Sequence, residues 1–350
     1  MRARPIARRE GVALPVPRVA GFSLVELMIS MTISLMLLAT LIAVFVNASS
    51  ASNRLERNSR QLENGRYTME LLSDDLRVAG YYGEVDVGNL AVPAALPDPC
   101  SMQPAQWAAA MPIHVQGYDG GSGAPACIPA EVKPDTDILV VRRVNTCIAG
   151  DGGCAPAVAG KPYLQATLCN GDTSPYVLGV FGAAAFKLRR RDCATPATLR
   201  EYRVNIYFIS TTNGAGRNVP TLMRLELDGS TMTQVPLVEG IEEFNVEYGI
   251  DDDGDGHPDQ YTADPSHYTY PGCAVCTAVN NWSNVVTVRL HVLARSADPS
   301  PGHTDSNRYS LGRDAAGDLI SMGPRNDGYR RQAYTALVRI ENPAGRRDRP

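Results

Sequence analysis

The sequence predicts an α+β protein in which one long N-terminal helix packs on an antiparallel, β-rich head. The first observation is a run of apolar or small hydroxylic residues from 22 to 46, broken by one acidic residue. The second is a polar continuation, residues 47–80, without proline. The third is a series of β-branched and aromatic segments after residue 137, joined by turn signals rather than helical patterns. Strands that follow one another in this way favour antiparallel sheets.

The apolar run 22–46 is long enough to cross a membrane as a helix. A bilayer core of about 30 Å needs about 20 such residues, and this run has 25. Its acidic residue is Glu26, and a charged side chain inside a spanning helix costs about 2–3 kcal/mol near the bilayer centre. Because such a residue usually marks a function, Glu26 is a candidate functional residue.

Residues 1–21 form a basic leader before the run. They hold five arginines against one glutamate, and three prolines prevent a continuous helix. The positive-inside rule places such a segment in the cytoplasm, so the head is expected in the periplasm. A secretory signal peptide is an alternative, because the segment VNASSAS at 46–52 offers small residues for cleavage after the apolar run.

The hexapeptide GFSLVE at residues 21–26 resembles the type IV prepilin signature. The resemblance implies that a prepilin peptidase cleaves after Gly21 and methylates the new amino terminus at Phe22. It also implies that Glu26 meets the positively charged amino terminus of a neighbouring subunit. An ammonium partner would offset the desolvation of a carboxylate buried among packed helices, and the pair would set the register between subunits.

Residues 47–80 are predicted to continue the same helix as an amphipathic segment. An apolar side chain recurs every seventh residue, at Leu55, Leu62, Met69 and Leu76, and Leu72 and Ala79 extend the same stripe. This stripe is expected to cover the sheet. Gly65 is a candidate weak point in the helix, and Gly80 is its expected end.

A second motif follows, in which residues 75–83 read DLRVAGYYG. This pattern resembles PilW-type minor pilins, which are similar to the J-type pseudopilins of type II secretion. The segments 237–251 and 285–290 resemble strands of the same proteins. The resemblance implies a type IV pilin-like fold, with residues 81–350 as the periplasmic head.

Six segments carry the strongest β patterns in the head. They are residues 138–144, 200–210, 221–228, 242–250, 284–296 and 333–341. Their β-branched and aromatic content, with partial alternation of apolar and polar residues, predicts half-buried strands.

Eight cysteines all lie beyond the apolar run, which predicts disulfides in an oxidising compartment. They are Cys100, Cys127, Cys147, Cys154, Cys169, Cys193, Cys273 and Cys276. The first pair brackets Trp107 within residues 84–134, a segment expected to be an irregular surface insertion that acts as a spacer or a partner-binding loop. Neighbours in sequence are the favoured pairs, although eight cysteines allow about 105 connectivities.

An acidic loop, residues 251–259, reads DDDGDGHPD. Carboxylates of Asp251, Asp253, Asp255 and Asp259 are candidate ligands of one structural Ca²⁺, with the glycines permitting a sharp turn. The twelfth position is Thr262 rather than glutamate, so the loop is not an EF-hand. A solvated acidic hairpin without metal is the alternative.

Composition argues against several other functions. Without the leader, 28 basic and 36 acidic residues remain, a balance that does not favour nucleic-acid binding. The five histidines are scattered, and no phosphate-binding or nucleophile-elbow motif is present. We therefore expect no enzymatic activity, and Cys273-Ala-Val-Cys276 is interpreted as structural rather than as a redox or zinc site.

The resemblance implies a minor pilin that primes or caps a type IV pilus. The implied partners are the prepilin peptidase and methyltransferase, other minor pilins, the major pilin, membrane lipid and a PilY-type tip adhesin. The expected location is the inner membrane and then the pilus or its tip. Two alternatives stay open: a J-type pseudopilin of type II secretion, and a membrane-anchored, calcium-binding periplasmic adhesin.

Overall fold

The structure, a computed structural model, describes residues 21, 23–229, 231–270 and 276–347, without side chains at 50–58 and 60. Most of the predicted leader, Phe22 and Cys273 lie outside the described residues. The chain divides into two units, Met1–Leu55 and Glu56–Pro350. Helix α1, Leu24–Arg77, is continuous in the chain and contributes to both.

The first unit consists, where described, of the apolar half of α1. Residues Leu24–Ser49 have a mean hydropathy of 2.5 and are long and apolar enough to span a membrane. The most apolar part of this segment is not buried within the protein. Its large side chains, among them Phe45 and Met36, are exposed. An exposed helix of this composition indicates an environment of lipid or of other apolar helices.

The second unit is a β-rich head against which the rest of α1 packs. Its other described helices are α2, Pro104–Ala110, α3, Ala278–Ser283, and α4, Glu341–Arg347. The described strands before residue 230 are β1, Val115–Tyr118; β2, Ile138–Val144; β3, Pro162–Ala166; β4, Tyr176–Val180; β5, Leu199–Ser210; and β6, Thr221–Asp228. Those after it are β7, Thr231–Glu239; β8, Ile241–Ile250; β9, Gln260–Thr262; β10, Val285–Arg295; β11, Tyr309–Arg313; β12, Leu319–Met322; and β13, Arg331–Arg339.

A seven-stranded sheet is built around β5. This long strand pairs with β2, β3 and β6, while β1, β4 and β7 extend the sheet outward. A second, four-stranded sheet has the order β13-β10-β8-β9, and β11 and β12 form a hairpin. All strand pairs in these three sheets are antiparallel where the chain is described.

Two hydrophobic cores lie on opposite faces of the seven-stranded sheet. Successive side chains of a strand point to opposite faces, so Tyr207 of β5 enters the first core and Tyr202 the second. The first core also receives Leu72 and Leu76 of α1 and the inner face of the four-stranded sheet. Burial of this apolar face, rather than helix propensity, holds residues 56–77 on the head.

The α+β, pilin-like fold predicted from the sequence is confirmed. Each of the six segments with strong β patterns is a strand with bounds within two residues of those expected. The end of the helix is close to prediction as well, because α1 stops at Arg77 and Gly80 follows with a φ of 69°.

The prediction of an irregular insertion over residues 84–134 was wrong in two respects. Val115–Tyr118 form β1, an edge strand of the seven-stranded sheet that pairs with β2. Trp107 is 2% exposed and stacks on Tyr202, with ring centroids 6.0 Å apart. This tryptophan is therefore a core residue and is unavailable to a partner.

The helix packs through part of the predicted stripe, because Leu72, Leu76 and Ala79 belong to the first core but Leu62 does not. Leu62 is 49% exposed, whereas Gln61, Gly65, Thr68, Leu72 and Leu76 are buried. Gly65 does not interrupt α1; a Cβ at this position would overlap the ring of Tyr334 on β13. The glycine therefore serves the close approach of helix and sheet.

Candidate functional site

The start of α1 places Glu26 in a reciprocal capping interaction. Its Oε2 accepts a hydrogen bond from the backbone N–H of Ser23 at 2.9 Å, and Ser23 Oγ accepts one from the N–H of Glu26 at 3.2 Å. This is the capping box that S-x-x-E sequences form. In the isolated chain the carboxylate thus stabilises its own helix, and it remains exposed.

Hydroxyl groups further along the apolar helix are satisfied within it. Ser30 donates to the carbonyl of Glu26 at 2.7 Å, and Thr32 and Thr40 donate to carbonyls three residues earlier at 2.8 Å each. Such bonds remove the cost of exposing a hydroxyl to hydrocarbon. Apart from the carboxylate of Glu26, the described part of the span presents a surface suited to lipid or to neighbouring helices.

The DLRVAGYYG motif anchors the end of α1 through Asp75. This carboxylate is 6% exposed and accepts hydrogen bonds from Arg143 Nε at 2.5 Å, Asn205 Nδ2 at 2.8 Å and Tyr207 Oη at 2.7 Å. The bonds join the helix to β2 and β5. Because a buried carboxylate left unpaired is costly, this network fixes the position of the helix end on the sheet.

The acidic loop brings three of its four predicted ligands together. Carboxylate oxygens of Asp251, Asp253 and Asp259 lie within 4.8 Å of one another, so this cluster could bind a metal. Asp255 lies outside that group, and its Oδ1 accepts the N–H of His257 at 2.8 Å. Both oxygens of Asp251 accept backbone N–H groups, from Gly254 at 2.6 Å and Gly256 at 3.0 Å, which hold the turn.

Two further contacts at this loop are not evident from the sequence. Arg347 of α4 donates to Asp251 Oδ2 at 3.2 Å and to Asn284 Oδ1 at 2.6 Å, so an arginine partly offsets the loop's charge. Asp252 Oδ1 is buried and has no hydrogen-bond partner. Burial raises the pKa of Asp252, and so do the nearby charges of Asp259, Asp251 and Asp253.

Disulfides brace the head at three places in the described chain. Cys100 pairs with Cys127, Cys147 with Cys154, and Cys169 with Cys193. These are the neighbouring pairs that the sequence favoured. Cys276 is disulfide-bonded as well. Each of these three disulfides closes a loop of the head, which reduces the conformational freedom of the unfolded chain.

A long, exposed apolar helix that begins with a capped carboxylate and ends on a disulfide-braced antiparallel head defines a pilin-like protein. Comparison with known families supports this class. Residues 17–42 match the family model described as the prokaryotic N-terminal methylation motif. Residues 206–342 match the model described as type IV pilus-assembly protein W, PilW.

Over residues 206–342 the chain is similar to the PilW family of type IV pilus-assembly proteins, and over residues 17–42 to proteins with the prepilin-type methylation motif. The PilW match runs from the middle of β5 to the start of α4 and includes the whole four-stranded sheet and the acidic loop. Both families are structural or assembly proteins of pili rather than enzymes. In the same comparisons, no curated protein and no solved structure matches the chain.

Proposed function

We propose that this protein is a minor pilin that primes or caps a type IV pilus. A prepilin peptidase cleaves after Gly21 and methylates Phe22, and α1 then carries the protein from the inner membrane into the filament. The main support is the methylation motif at residues 17–42, which leads directly into an apolar helix with no buried face of its own. An unpartnered apolar helix needs lipid before assembly and neighbouring helices after it.

In this proposal Glu26 exchanges one partner for another. Before assembly its carboxylate caps its own helix through Ser23. In the filament it pairs with the methylated amino terminus of a neighbouring subunit. The N–H of Ser23 offers the carboxylate only a dipole, whereas the amino terminus offers an opposite charge that offsets desolvation of the carboxylate. The exchange is therefore favourable where the helices exclude water.

The head lies on the periplasmic side in this proposal, since the leader is basic and the cysteines follow the span. Its partners are other minor pilins, the major pilin and a PilY-type adhesin at the tip. The match to a pilus-assembly protein favours the pilus over a type II secretion pseudopilus.

We also propose that the acidic loop binds one structural Ca²⁺. The carboxylates of Asp251, Asp253 and Asp259 already converge. The neighbouring Asp252 has a buried oxygen, Oδ1, that accepts no hydrogen bond. Carboxylate oxygens are the ligands that Ca²⁺ prefers. Bound Ca²⁺ would join β8, which ends at Ile250, to β9, which begins at Gln260, and so tighten this corner of the four-stranded sheet.

The assembly proposal is tested by deleting the chain's own gene in its host and complementing with wild type or with Gly21→Trp, which blocks cleavage. We expect deletion to abolish surface pili and twitching, with rescue by wild type alone. Normal pili with impaired protein secretion would instead identify a pseudopilin. Rescue by the Gly21→Trp variant would contradict processing as a requirement.

A further inference from the structure

The second tyrosine of the AGYYG motif belongs to a buried polar group in the second core. We call this group, Arg142, Tyr82 and Tyr202, the Arg142 cluster. Arg142 lies on β2, Tyr202 on β5, and Tyr82 just beyond α1. Arg142 is 1% exposed, Tyr82 is 2% exposed and Tyr202 is 0% exposed. None of the three side chains has a role in the assembly proposal.

Arg142 is a fully buried cation without a carboxylate partner in the described part of the chain. It donates hydrogen bonds to the carbonyl of Ile113 at 3.0 Å and to Gln116 Oε1 at 2.8 Å, and both acceptors are neutral. A guanidinium has five N–H donors and is always charged in proteins. Taking such a charge out of water costs several kcal/mol unless an opposite charge offsets it.

The two tyrosines add donors that have no acceptor. Tyr82 Oη and Tyr202 Oη are buried without a hydrogen-bond partner. Their rings stack with centroids 6.4 Å apart, and Trp107 stacks on the other side of Tyr202. Burial raises the pKa of Tyr202 to about 12 and that of Tyr82 well above its usual value, although the charge of Arg142 opposes both shifts. Both hydroxyls therefore stay protonated.

Arginines and aspartates both act on this part of the core. Arg346 of α4 lies close enough to Tyr82 for each to act on the other's pKa. His114 is buried and uncharged at neutral pH, because burial lowers its pKa to about 3. Asp98 acts on Arg142 and Asp86 acts on Arg346, but neither aspartate forms an ion pair with these arginines in the described part of the chain. Tyr118, which also acts on Arg142, accepts a hydrogen bond from Gln116 Nε2 at 2.8 Å.

We propose that the Arg142 cluster binds one small monovalent inorganic anion of the size of chloride. The guanidinium supplies the compensating charge, and the hydroxyls of Tyr82 and Tyr202 supply hydrogen-bond donors that otherwise have no acceptor. Buried polar groups in proteins are nearly always satisfied, by protein, water or ions. A water molecule would accept these hydrogen bonds but would leave the charge of Arg142 without a direct ion-pair partner.

The anion would tie the motif after α1 to the sheet behind it. Gly80 N–H donates to the carbonyl of Arg142 at 2.9 Å, and Val144 N–H donates to the carbonyl of Tyr81 at 2.8 Å. The motif is thus joined to β2 by backbone bonds on both sides of Tyr82. An anion held by Tyr82 and Arg142 would complete this junction by bonds between side chains.

Thermal unfolding of the full chain in detergent tests the proposal, with sodium chloride or bromide replaced by sodium gluconate at constant ionic strength. Gluconate is too large for a buried site. An anion that binds only the folded state raises Tm in a saturable manner, here by about 3 °C or more for a chain of this size. Crystals grown in bromide should show one anomalous peak beside Arg142.

Variants locate the effect without removing the charge. Tyr82→Phe and Tyr202→Phe each delete one donor and should reduce the Tm response to chloride at least twofold. Tyr248→Phe is the matched control, because Tyr248 Oη is also buried without a partner but lies in the first core. An equal Tm in chloride and gluconate for wild type, or a full chloride response in Tyr202→Phe, would overturn the proposal.

Discussion

Glu26 and Ser23 cap the first turn of α1 reciprocally, each accepting a hydrogen bond from the other's backbone N–H. The carboxylate therefore has a local task in the isolated subunit and a separate, proposed task between subunits. Most substitutions of Glu26 would remove both the capping interaction and the proposed pairing between subunits. Glutamine separates the two roles, because it can still cap the helix but carries no charge for pairing with an amino terminus.

The first prediction uses this division. We expect Glu26→Gln and Glu26→Ala to be processed normally but to be incorporated into pili at least tenfold less than wild type, because neither can pair with an amino terminus. Immunoblots of sheared pili against membrane fractions measure this ratio. If Glu26→Gln entered pili normally while Glu26→Ala did not, capping rather than pairing between subunits would be the function of Glu26.

The second prediction concerns Gly65 of α1. Gly65→Ala should lower the unfolding free energy by about 1–3 kcal/mol, the usual cost of overpacking, because its Cβ would overlap Tyr334. Gly345→Ala is the matched control, since this helical glycine faces open space and alanine favours helices. Chemical denaturation of both variants gives the comparison. A Gly65→Ala variant as stable as the control would show that Tyr334 moves aside freely.

The third prediction compares two adjacent aspartates. Asp75→Ala removes three buried hydrogen bonds and leaves Arg143 without its ion-pair partner, so we expect a loss of about 3–5 kcal/mol. Asp74→Ala removes a carboxylate that is 64% exposed and pairs only with Arg77, so its effect should stay below about 1 kcal/mol. Similar losses for both variants would contradict the anchoring role of Asp75.

The fourth prediction concerns pH. His114 is fully buried, its Nε2 lies 2.6 Å from the carbonyl oxygen of Val285, and burial lowers its pKa to about 3. In the unfolded chain a histidine titrates near 6.5. The stability it contributes is thus fully present above pH 6.5 and is lost as pH falls towards 3.

By linkage, His114 should account for a loss of about 2–3 kcal/mol between pH 6.5 and 4.5. Denaturant unfolding at both pH values, for wild type and His114→Asn, measures this contribution as a difference. The variant should be less stable at pH 6.5 and lose less stability on acidification. Parallel pH dependences for the two proteins would contradict a buried, neutral imidazole.

The fifth prediction tests the acidic loop. Millimolar Ca²⁺ should raise Tm and release heat in calorimetry, and Asp253→Asn and Asp259→Asn should abolish both effects. Asp255→Asn is the control, because Asp255 lies outside the group of converging carboxylates. Wild type that responds to Ca²⁺ no more than to Mg²⁺ or added sodium would rule out a specific Ca²⁺ site.

The sequence predicted those parts of the fold whose pattern is local. Strands such as β2 and β10 are rich in Val, Ile and Leu, so their bounds follow from composition alone. β7 was missed because most of its residues are partly or fully exposed and it contains Pro236, so that it lacks an apolar alternation. β1 is only four residues long and gains its stability from pairing with β2.

Features that depend on distant contacts were not predictable in the same way. Trp107 stacks on Tyr202, and Arg347 pairs with Asp251, through folding that no periodicity reveals. The helix stripe was predicted only in part, because the buried residues Gly65 and Thr68 are not apolar markers, whereas Leu72 and Leu76 are. The Asp251 group was partly predictable, since alternate carboxylates in a glycine-rich turn converge by local geometry.

The central claim is that the mature protein begins at residue 22 with a methylated amine. Mass spectrometry of the native protein purified from membranes and from sheared pili tests it most directly. The account predicts an amino-terminal peptide that starts at N-methylated Phe22. A polypeptide that still carries Met1 or another leader residue, or one that begins after Val46, would contradict it.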